Sequence, residues 1–160
     1  IRRGSLRHTF GLVRRMANGK RRAHQGWDFY SEPGYRCYSI ADGEVAMIRN
    51  AGAYGKQVAV KFRHDYDGDG DEDVLYAFYA HLSRIDVVEG QRIAKGQQVG
   101  LTGNTGNARS MRGQDQHLHF EIRTAVRPGR GLGGRMSPYS VFKHLPLKEP
   151  YIETGPFRRL

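Results

Sequence analysis

Cysteine, acidic residues and long apolar runs are all scarce in this sequence. The one cysteine, Cys37, excludes an internal disulfide framework and a cysteine-based zinc site, and its apolar neighbours favour a half-buried structural thiol over a nucleophile. No apolar run is long enough for a transmembrane helix, so no membrane insertion is expected. No signal peptide is visible, but a chain that begins with Ile1 is expected to be a piece or a processed form.

The shortage of acidic residues leaves a strongly basic chain. Lys and Arg number 26 against 16 Asp and Glu, which gives a formal net charge of +10. Residues 1–26 carry eight basic side chains and no acid, whereas residues 65–73 concentrate six acidic ones. This balance favours a polyanionic partner such as nucleic acid, phospholipid or an anionic cell-wall polymer, and charge alone does not choose among them.

The length and composition indicate one β-rich domain. A chain of 160 residues is large enough to bury a core, and its 21 glycines with many Val, Ile, Tyr and Phe residues favour strands joined by tight turns. The predicted fold is mainly β: a single antiparallel β-sheet domain with long loops on one side and one short C-terminal helix. The main predicted elements are strands at 57–64, 74–81 and 117–124, a turn at 65–73, a long loop at 103–115 and a helix that starts near 137.

The stretch HLHFEIR, which begins at His117, places two histidines in an apparent strand. Side chains alternate across a strand, so His117 and His119 point to one face. Leu118, Phe120 and Ile122 then point to the other face, which has the composition of a core. The strand is thus predicted to set two imidazoles side by side on the face that it does not bury.

A histidine and a carboxylate four residues apart, His24 and Asp28, form a second candidate site. Imidazole and carboxylate are both good zinc ligands, and a catalytic zinc site needs three protein ligands and one open position. His24, Asp28 and one member of the 117/119 pair would supply that set, with the other member close by. His81, which ends a predicted strand, is a further candidate. The remaining histidines have no such company and are expected to be surface or packing residues: His8, His64 and His144.

Four motifs, taken in order, resemble the lysostaphin/LytM-type zinc metallopeptidases. They are His24-x-Gly-x-Asp28, Tyr79-Ala-His81-Leu82, Gly103-Asn-Thr-Gly106 and His117-Leu-His119-Phe120. The connecting segments FGLVRR, DGEV and VVEGQRIAKGQQVGLTGNTG are similar to that family as well. The likeness covers about residues 9–124 and leaves 125–160 as a C-terminal extension of one domain over residues 1–160.

The resemblance implies a β-sheet fold with one zinc ion at the floor of a groove. It assigns zinc binding to His24, Asp28 and His119, and it assigns action on substrate and water to His81 and His117. It implies an endopeptidase that cleaves stem or cross-bridge peptides of bacterial peptidoglycan, in the periplasm, at the cell envelope or after secretion. Zinc would acidify the attacking water, and either helper histidine can accept the proton.

The sequence also leaves open functions other than that of an endopeptidase. One is a catalytically inactive member of the same fold that binds the wall or regulates an amidase, although such members usually lose the ligands that are all present here. Another is a nucleic-acid-binding β domain, but no recognition helix or aromatic RNA-binding motif lies beside the arginines, so no specific nucleic-acid partner is predicted. An inhibitor or immunity protein is a further expected type of partner.

The acidic turn is a second candidate metal site. Asp65, Asp67 and Asp69, followed by Gly70, match the first half of an EF-hand-like calcium loop. Position 12 of that register is Tyr76 instead of Glu, and the flanking segments are predicted strands instead of helices. Two interpretations of the acidic turn are left open: a solvated hairpin turn, and a calcium site in which the ion rigidifies the turn.

Overall fold

Nearly all the regular structure that the described residues form is β-strand, as the sequence predicts. The computed structural model describes residues 1–147. The strands are β1 (Gly11–Arg15), β2 (Arg21–His24), β3 (Trp27–Tyr30), β4 (Arg36–Tyr38), β5 (Gly43–Asn50), β6 (Lys56–His64), β7 (Asp73–Leu82), β8 (Arg84–Ile85), β9 (Arg92–Ile93), β10 (Gln98–Leu101), β11 (His117–Arg123) and β12 (Arg135–Met136). The same part of the chain holds one α-helix, α1 (Tyr139–Phe142), and four short 3-10 helices.

Within residues 1–147 the strands pair antiparallel and form three sheets. The largest follows the order β12-β11-β7-β6-β5-β9, and β3 pairs with the first half of β11. A smaller sheet has the order β4-β10-β8, and β1 and β2 form a two-stranded hairpin. The predicted hairpin across the acidic turn is confirmed, since β6 and β7 pair along their length. With β3 and β12 on one side and β7 on the other, β11 lies inside its sheet and is firmly fixed.

One face of the largest sheet packs against the smaller sheet and forms the main core. Its buried members include Val45, Val58, Val60, Leu75, Tyr79, Phe120 and Ile122 from the largest sheet and Cys37 and Val99 from the smaller one. Cys37 is fully buried instead of half-buried, at 4% exposed, and burial raises the pKa of its thiol to about 12. The thiol therefore stays protonated near neutral pH and serves packing, as predicted.

The predicted alternation of β11 is confirmed for its apolar residues, which face the core. The prediction that the histidine face is not buried is wrong. Phe120 and Ile122 are buried in the main core, and Leu118 packs against that core. His117 and His119 are buried as well, at 4% and 5% exposed. The rings of neighbouring residues on loops and on β7 pack over the histidine face, which a pattern within one strand does not reveal.

The predicted C-terminal helix is present but is only one turn long. In α1 the Tyr139 N–H donates to Ser137 Oγ at 3.3 Å, and the Phe142 ring stacks on Trp27 with centroids 5.8 Å apart. The predicted extension adds β12 to the largest sheet. Its residues 148–160 lie outside the described residues, and its membership in one domain stays a prediction. No helix within residues 1–147 has the length and apolar character to cross a membrane.

Candidate metal centre

Three strands bring His24, Asp28 and His119 to one point. His24 ends β2, Asp28 lies in β3, and His119 stands opposite Asp28 in the pairing of β3 with β11. Gly26 allows the backbone to pass this close to β11, since a Cβ there would lie 2.0 Å from the Phe120 carbonyl oxygen. One ligand atom from each of the three side chains lies within 4.8 Å of the others. The structure therefore brings together the set of residues predicted to bind zinc.

Hydrogen bonds on the far side of each ligand imidazole aim its free nitrogen at this point. His24 Nδ1 lies 2.8 Å from the Thr9 carbonyl oxygen, so Nδ1 donates and Nε2 presents a lone pair, 3.0 Å from Asp28 Oδ1. His119 Nε2 faces Glu121, and its Nδ1 lies 2.9 Å from Asp28 Oδ1 and 3.3 Å from His24 Nε2. Two imidazole nitrogens and one carboxylate oxygen form a donor set that suits a catalytic zinc ion.

The electrostatics of the set favour a bound cation. Burial opposes ionisation of Asp28, but the contacts with His119, His24 and His8 outweigh it and hold the pKa of Asp28 well below its usual range. Burial also lowers the pKa of His119, yet hydrogen bonds to the carboxylates of Asp28 and Glu121 prevail and raise it to about 9. Positive charge is therefore stabilised at this point, as a proton on His119 or as a metal ion in its place.

The second oxygen of Asp28 is held by two residues that the sequence analysis does not place in the site. Arg14 Nη2 donates to Oδ2 at 2.6 Å, and His8 Nδ1 lies 3.2 Å from the same atom. The assignment of His8 to the surface or to ordinary packing is therefore wrong, because His8 is buried against a candidate metal ligand. With Oδ2 fixed in this way, Oδ1 points at His24 and His119.

Glu121 holds His119 from behind. It lies two residues along β11 on the same face and is fully buried, and its Oε1 is 2.9 Å from His119 Nε2. Tyr54 donates its hydroxyl to Oε1 at 2.6 Å, and the Nε atoms of Arg123 and Arg135 donate to Oε2 at 2.6 and 2.8 Å. Burial opposes ionisation of Glu121, but His119 and Arg123 hold its pKa well below the usual range. A carboxylate behind a metal-binding imidazole fixes the tautomer and orientation of the ring.

The two predicted helper histidines lie beside the ligand set. His117 Nε2 is 3.6 Å from Asp28 Oδ1, and the His81 and His117 rings are 5.1 Å apart. In both residues Nδ1 faces a backbone carbonyl oxygen, that of Thr105 for His81 at 2.9 Å and that of Asp115 for His117 at 2.8 Å. Burial is the largest cause that lowers both pKa values, that of His81 to about 4. Both rings are therefore neutral near pH 7 and can accept a proton at Nε2.

His81 is held in an uncommon backbone conformation. Its φ is +63°, in the left-handed region that residues other than glycine rarely adopt. The His81 N–H donates to the Tyr54 carbonyl oxygen at 2.9 Å, and its ring is held by Thr105 of the GNTG motif. Gly103 lets that motif approach, since a Cβ there would lie 2.4 Å from the Ser83 nitrogen. The motif thus has a physical role, which is to position His81, a candidate functional histidine, in a strained conformation.

The ligand set opens into a cavity of about 1060 Å³. Its lining includes the three ligand residues, both helper histidines, five arginines, Tyr54 and three residues of the long loop: Asn107, Met111 and Asp115. The long loop thus forms one wall of the predicted groove. The other two histidines, His64 and His144, do not line this cavity.

Some residues of the site carry a signal in the sequence that can be recognised, and others do not. Glu121 follows from the alternation that pairs His117 with His119, extended by one step. Arg14 lies in the FGLVRR segment that already resembles the family. Tyr54 joins Glu121 across 67 positions, and no local pattern indicates such a contact.

The acidic turn between β6 and β7 brings its three aspartates together. One carboxylate oxygen from each of Asp65, Asp67 and Asp69 lies within 4.8 Å of the others. The turn also bonds to itself, since Asp65 accepts the N–H groups of Gly68 at 2.6 Å and Gly70 at 3.1 Å. These bonds suit a solvated turn and the close carboxylates suit a cation, so calcium stays a prediction.

If calcium binds at this turn, it should raise the melting temperature. At about 10 mM calcium, a site with a dissociation constant of about 0.1–1 mM stabilises the folded state by about 1–3 kcal/mol. Asp67→Asn removes one ligand, keeps both Asp65 hydrogen bonds and should cancel the rise. Scanning calorimetry of zinc-saturated protein measures the effect, with magnesium as the control ion. An equal rise in parent and variant, or none in the parent, contradicts calcium binding at this turn.

Comparisons with known proteins agree with the motifs and the geometry. The sequence model described as Peptidase family M23 matches residues 22–130. The peptidoglycan DD-endopeptidase ShyA of Vibrio cholerae is 36% identical over 105 residues, which cover 66% of this chain and 21% of that protein. The murein hydrolase activator NlpD of Escherichia coli is 29% identical over 116 residues, which cover 72% of this chain and 27% of that protein. The chain thus spans about a fifth to a quarter of the length of these relatives.

Solved structures share the fold. A zinc-containing peptidase from Vibrio cholerae superposes with a TM-score of 0.57 at 30% identity, covering 71% of this chain and 31% of that chain. The catalytic domain of the antimicrobial peptidase lysostaphin from Staphylococcus simulans superposes with a TM-score of 0.62 at 22% identity, covering 86% of this chain and 90% of that one. The predicted lysostaphin/LytM-type fold is confirmed, and because the family match extends over residues 22–130, this chain belongs to peptidase family M23.

Proposed function

We propose that this protein is a zinc endopeptidase that hydrolyses peptide bonds in the stem or cross-bridge peptides of bacterial peptidoglycan. The observation that carries the proposal is the convergence of three ligand atoms and two neutral histidines on one open cavity. Two relatives support it, since ShyA is a peptidoglycan DD-endopeptidase by name and the similar Vibrio cholerae structure contains zinc.

Each residue of the ligand set would supply one zinc-binding atom. His24, Asp28 and His119 would bind zinc through Nε2, Oδ1 and Nδ1, the atoms that face one another. A zinc ion there supplies a Lewis acid, which lowers the pKa of water and polarises a carbonyl group. Arg14 keeps the Asp28 carboxylate in place, and Glu121 keeps the ring proton of His119 on Nε2.

His117 and His81 carry the proton transfers. Both are neutral near pH 7, so either can take the proton of the attacking water and deliver it to the leaving amine. A protonated His117 would lie 3.6 Å from Asp28 Oδ1, whereas the His117 and His119 rings surround His81 and disfavour its charged form. The surroundings therefore favour His117 as the first acceptor.

The proposed substrate sets the place of action. The protein would work in the periplasm, at the cell envelope or, after secretion, on the wall of another cell. A net charge of +10 would hold it on an anionic wall polymer. An inhibitor or immunity protein as a partner stays a prediction.

A regulator without catalysis is the second candidate. NlpD, an activator of murein hydrolases by name, is similar over 116 residues. The ligand set and both helper histidines favour catalysis in this chain, because a surface that only binds another protein needs neither neutral imidazoles nor an open ligand position.

Zinc-loaded protein is expected to release peptides from purified sacculi, and a chelator should stop the release. Without the metal, the two helper histidines have no activated water to deprotonate, so the rate should fall to background and return when zinc is added. Mass spectrometry of the fragments identifies the bond that is cut. Protein that binds one zinc ion yet releases nothing from sacculi of either cross-link type contradicts the enzyme, and an assay with a purified amidase then tests the regulator.

A further inference from the structure

The cavity that holds the ligand set has a strongly basic wall that the proton chemistry does not use. Five arginines line it: Arg2, Arg3, Arg7, Arg14 and Arg22. Among residues 1–147, the carboxylates that line it with them are those of Asp28 and Asp115. Five cations against two anions leave an excess of three positive charges, before any metal ion adds its own.

Three of these arginines already have carboxylate partners. Arg14 Nη2 contacts Asp28 Oδ2 at 2.6 Å. Arg2 and Arg3 both contact Asp115 Oδ1 through Nη2, at 2.5 and 2.7 Å. These three side chains therefore tie the first residues of the chain and the long loop to the ligand set, and their charge is largely satisfied.

Arg7 and Arg22 are the two that lack such a partner. Both side chains are exposed on the cavity wall, and within the described part of the chain neither pairs with a carboxylate. Like charges that line one cavity repel, and an anion bound among them relieves the repulsion.

We infer that Arg7 and Arg22 form a subsite for a free carboxylate of the substrate, beside the scissile bond. The planar guanidinium group matches a carboxylate through two parallel hydrogen bonds. The inference rests on the proposed function and narrows it. In a cross-link from D-alanine to diaminopimelate, the carbon that bears the scissile nitrogen also bears a free carboxylate, whereas a glycine bridge has none. The basic wall therefore assigns this chain to the anionic type of cross-link.

The test uses two synthetic cross-linked peptides that differ only at this group, a free acid in one and a carboxamide in the other. For the zinc-loaded parent, kcat/KM is expected to be at least about tenfold higher for the free acid. In the double variant Arg7→Gln/Arg22→Gln this ratio should fall towards one, chiefly through KM, because the carboxylate takes no part in bond cleavage. Arg63→Gln/Arg92→Gln makes the same change of charge at exposed positions outside the cavity and should keep the parent's ratio.

The outcomes separate this subsite from the proposed function. A parent protein that cleaves both peptides equally well overturns the subsite and leaves the endopeptidase intact, and so does a double variant that keeps the parent's ratio. If neither peptide is cleaved, release from sacculi of both cross-link types decides the proposed function, and calorimetric binding of both peptides to the zinc-loaded proteins decides the subsite. A preference for the free acid that disappears in the double variant supports it, and equal affinities in the parent overturn it.

Discussion

The His117→Ala variant is expected to keep its zinc ion and to release peptides from sacculi about 10²–10⁴ times more slowly than the parent. His117 contributes no atom to the ligand set, because its Nδ1 faces the Asp115 carbonyl oxygen and its Nε2 lies 3.6 Å from Asp28 Oδ1. The substitution removes a proposed proton acceptor and leaves all three candidate ligands in place. Metal analysis and initial rates on one preparation measure both quantities.

The matched control is His119→Ala, two residues along the same face of β11. It removes the candidate Nδ1 ligand and the contact with Glu121, so the zinc content itself should drop. Equal loss of zinc in both variants would show that both histidines of the strand are ligands. A His117→Ala variant that digests sacculi at the parent's rate would show instead that His81 alone carries the proton.

The second large effect is on stability. Glu121→Ala should lower the free energy of unfolding by about 3–5 kcal/mol, because removing one member of a buried charge network leaves the others uncompensated. The side chains of Arg123 and Arg135 are 4% and 5% exposed, and both donate to Glu121 Oε2. Chemical denaturation of zinc-free protein measures this effect separately from any loss of metal binding.

Two comparisons make the stability result specific. Glu44→Ala removes an exposed glutamate from β5 of the same sheet and should change stability by no more than about 0.5 kcal/mol. Glu121→Gln keeps the size of the side chain and should fold, but it should weaken zinc binding about 10–100-fold, since it loses the anion behind His119. Unchanged stability in Glu121→Ala together with unchanged zinc affinity in Glu121→Gln would mean that the network supports neither the fold nor the metal.

The parts of the fold that the sequence predicts are those with a local pattern. β6 and β11 alternate polar and apolar residues over part of their length, and β7 is a run of aromatic and aliphatic residues. Apolar side chains of all three strands enter the main core as expected. β1, β2 and β3 have only four or five residues each, and the first two are rich in arginine. Their strand character comes from pairing with each other and with β11, which no periodicity within them indicates.

The same distinction between local patterns and distant contacts applies to the candidate site. Its three candidate ligands and two helper histidines follow from ordered motifs, and the structure gathers them in one cavity. Most of the contacts that orient them do not follow, because they join residues that are far apart in the sequence. Tyr54 reaches Glu121, and Arg14 and His8 reach Asp28, through contacts that exist only once the sheets have formed.

Arg135 bears on where the C-terminal boundary of a shortened form of this domain should lie. The family match ends at residue 130 and the motif likeness ends near 124, yet the Arg135 guanidinium donates to Glu121 and to the carbonyl oxygens of Gly129 and Gly131. A recombinant piece trimmed at either boundary would keep every candidate ligand and both helper histidines. It would nevertheless lose one cation from the buried carboxylate that holds His119. A graft or fusion that borrows this domain should therefore continue through β12, to residue 136 at the least.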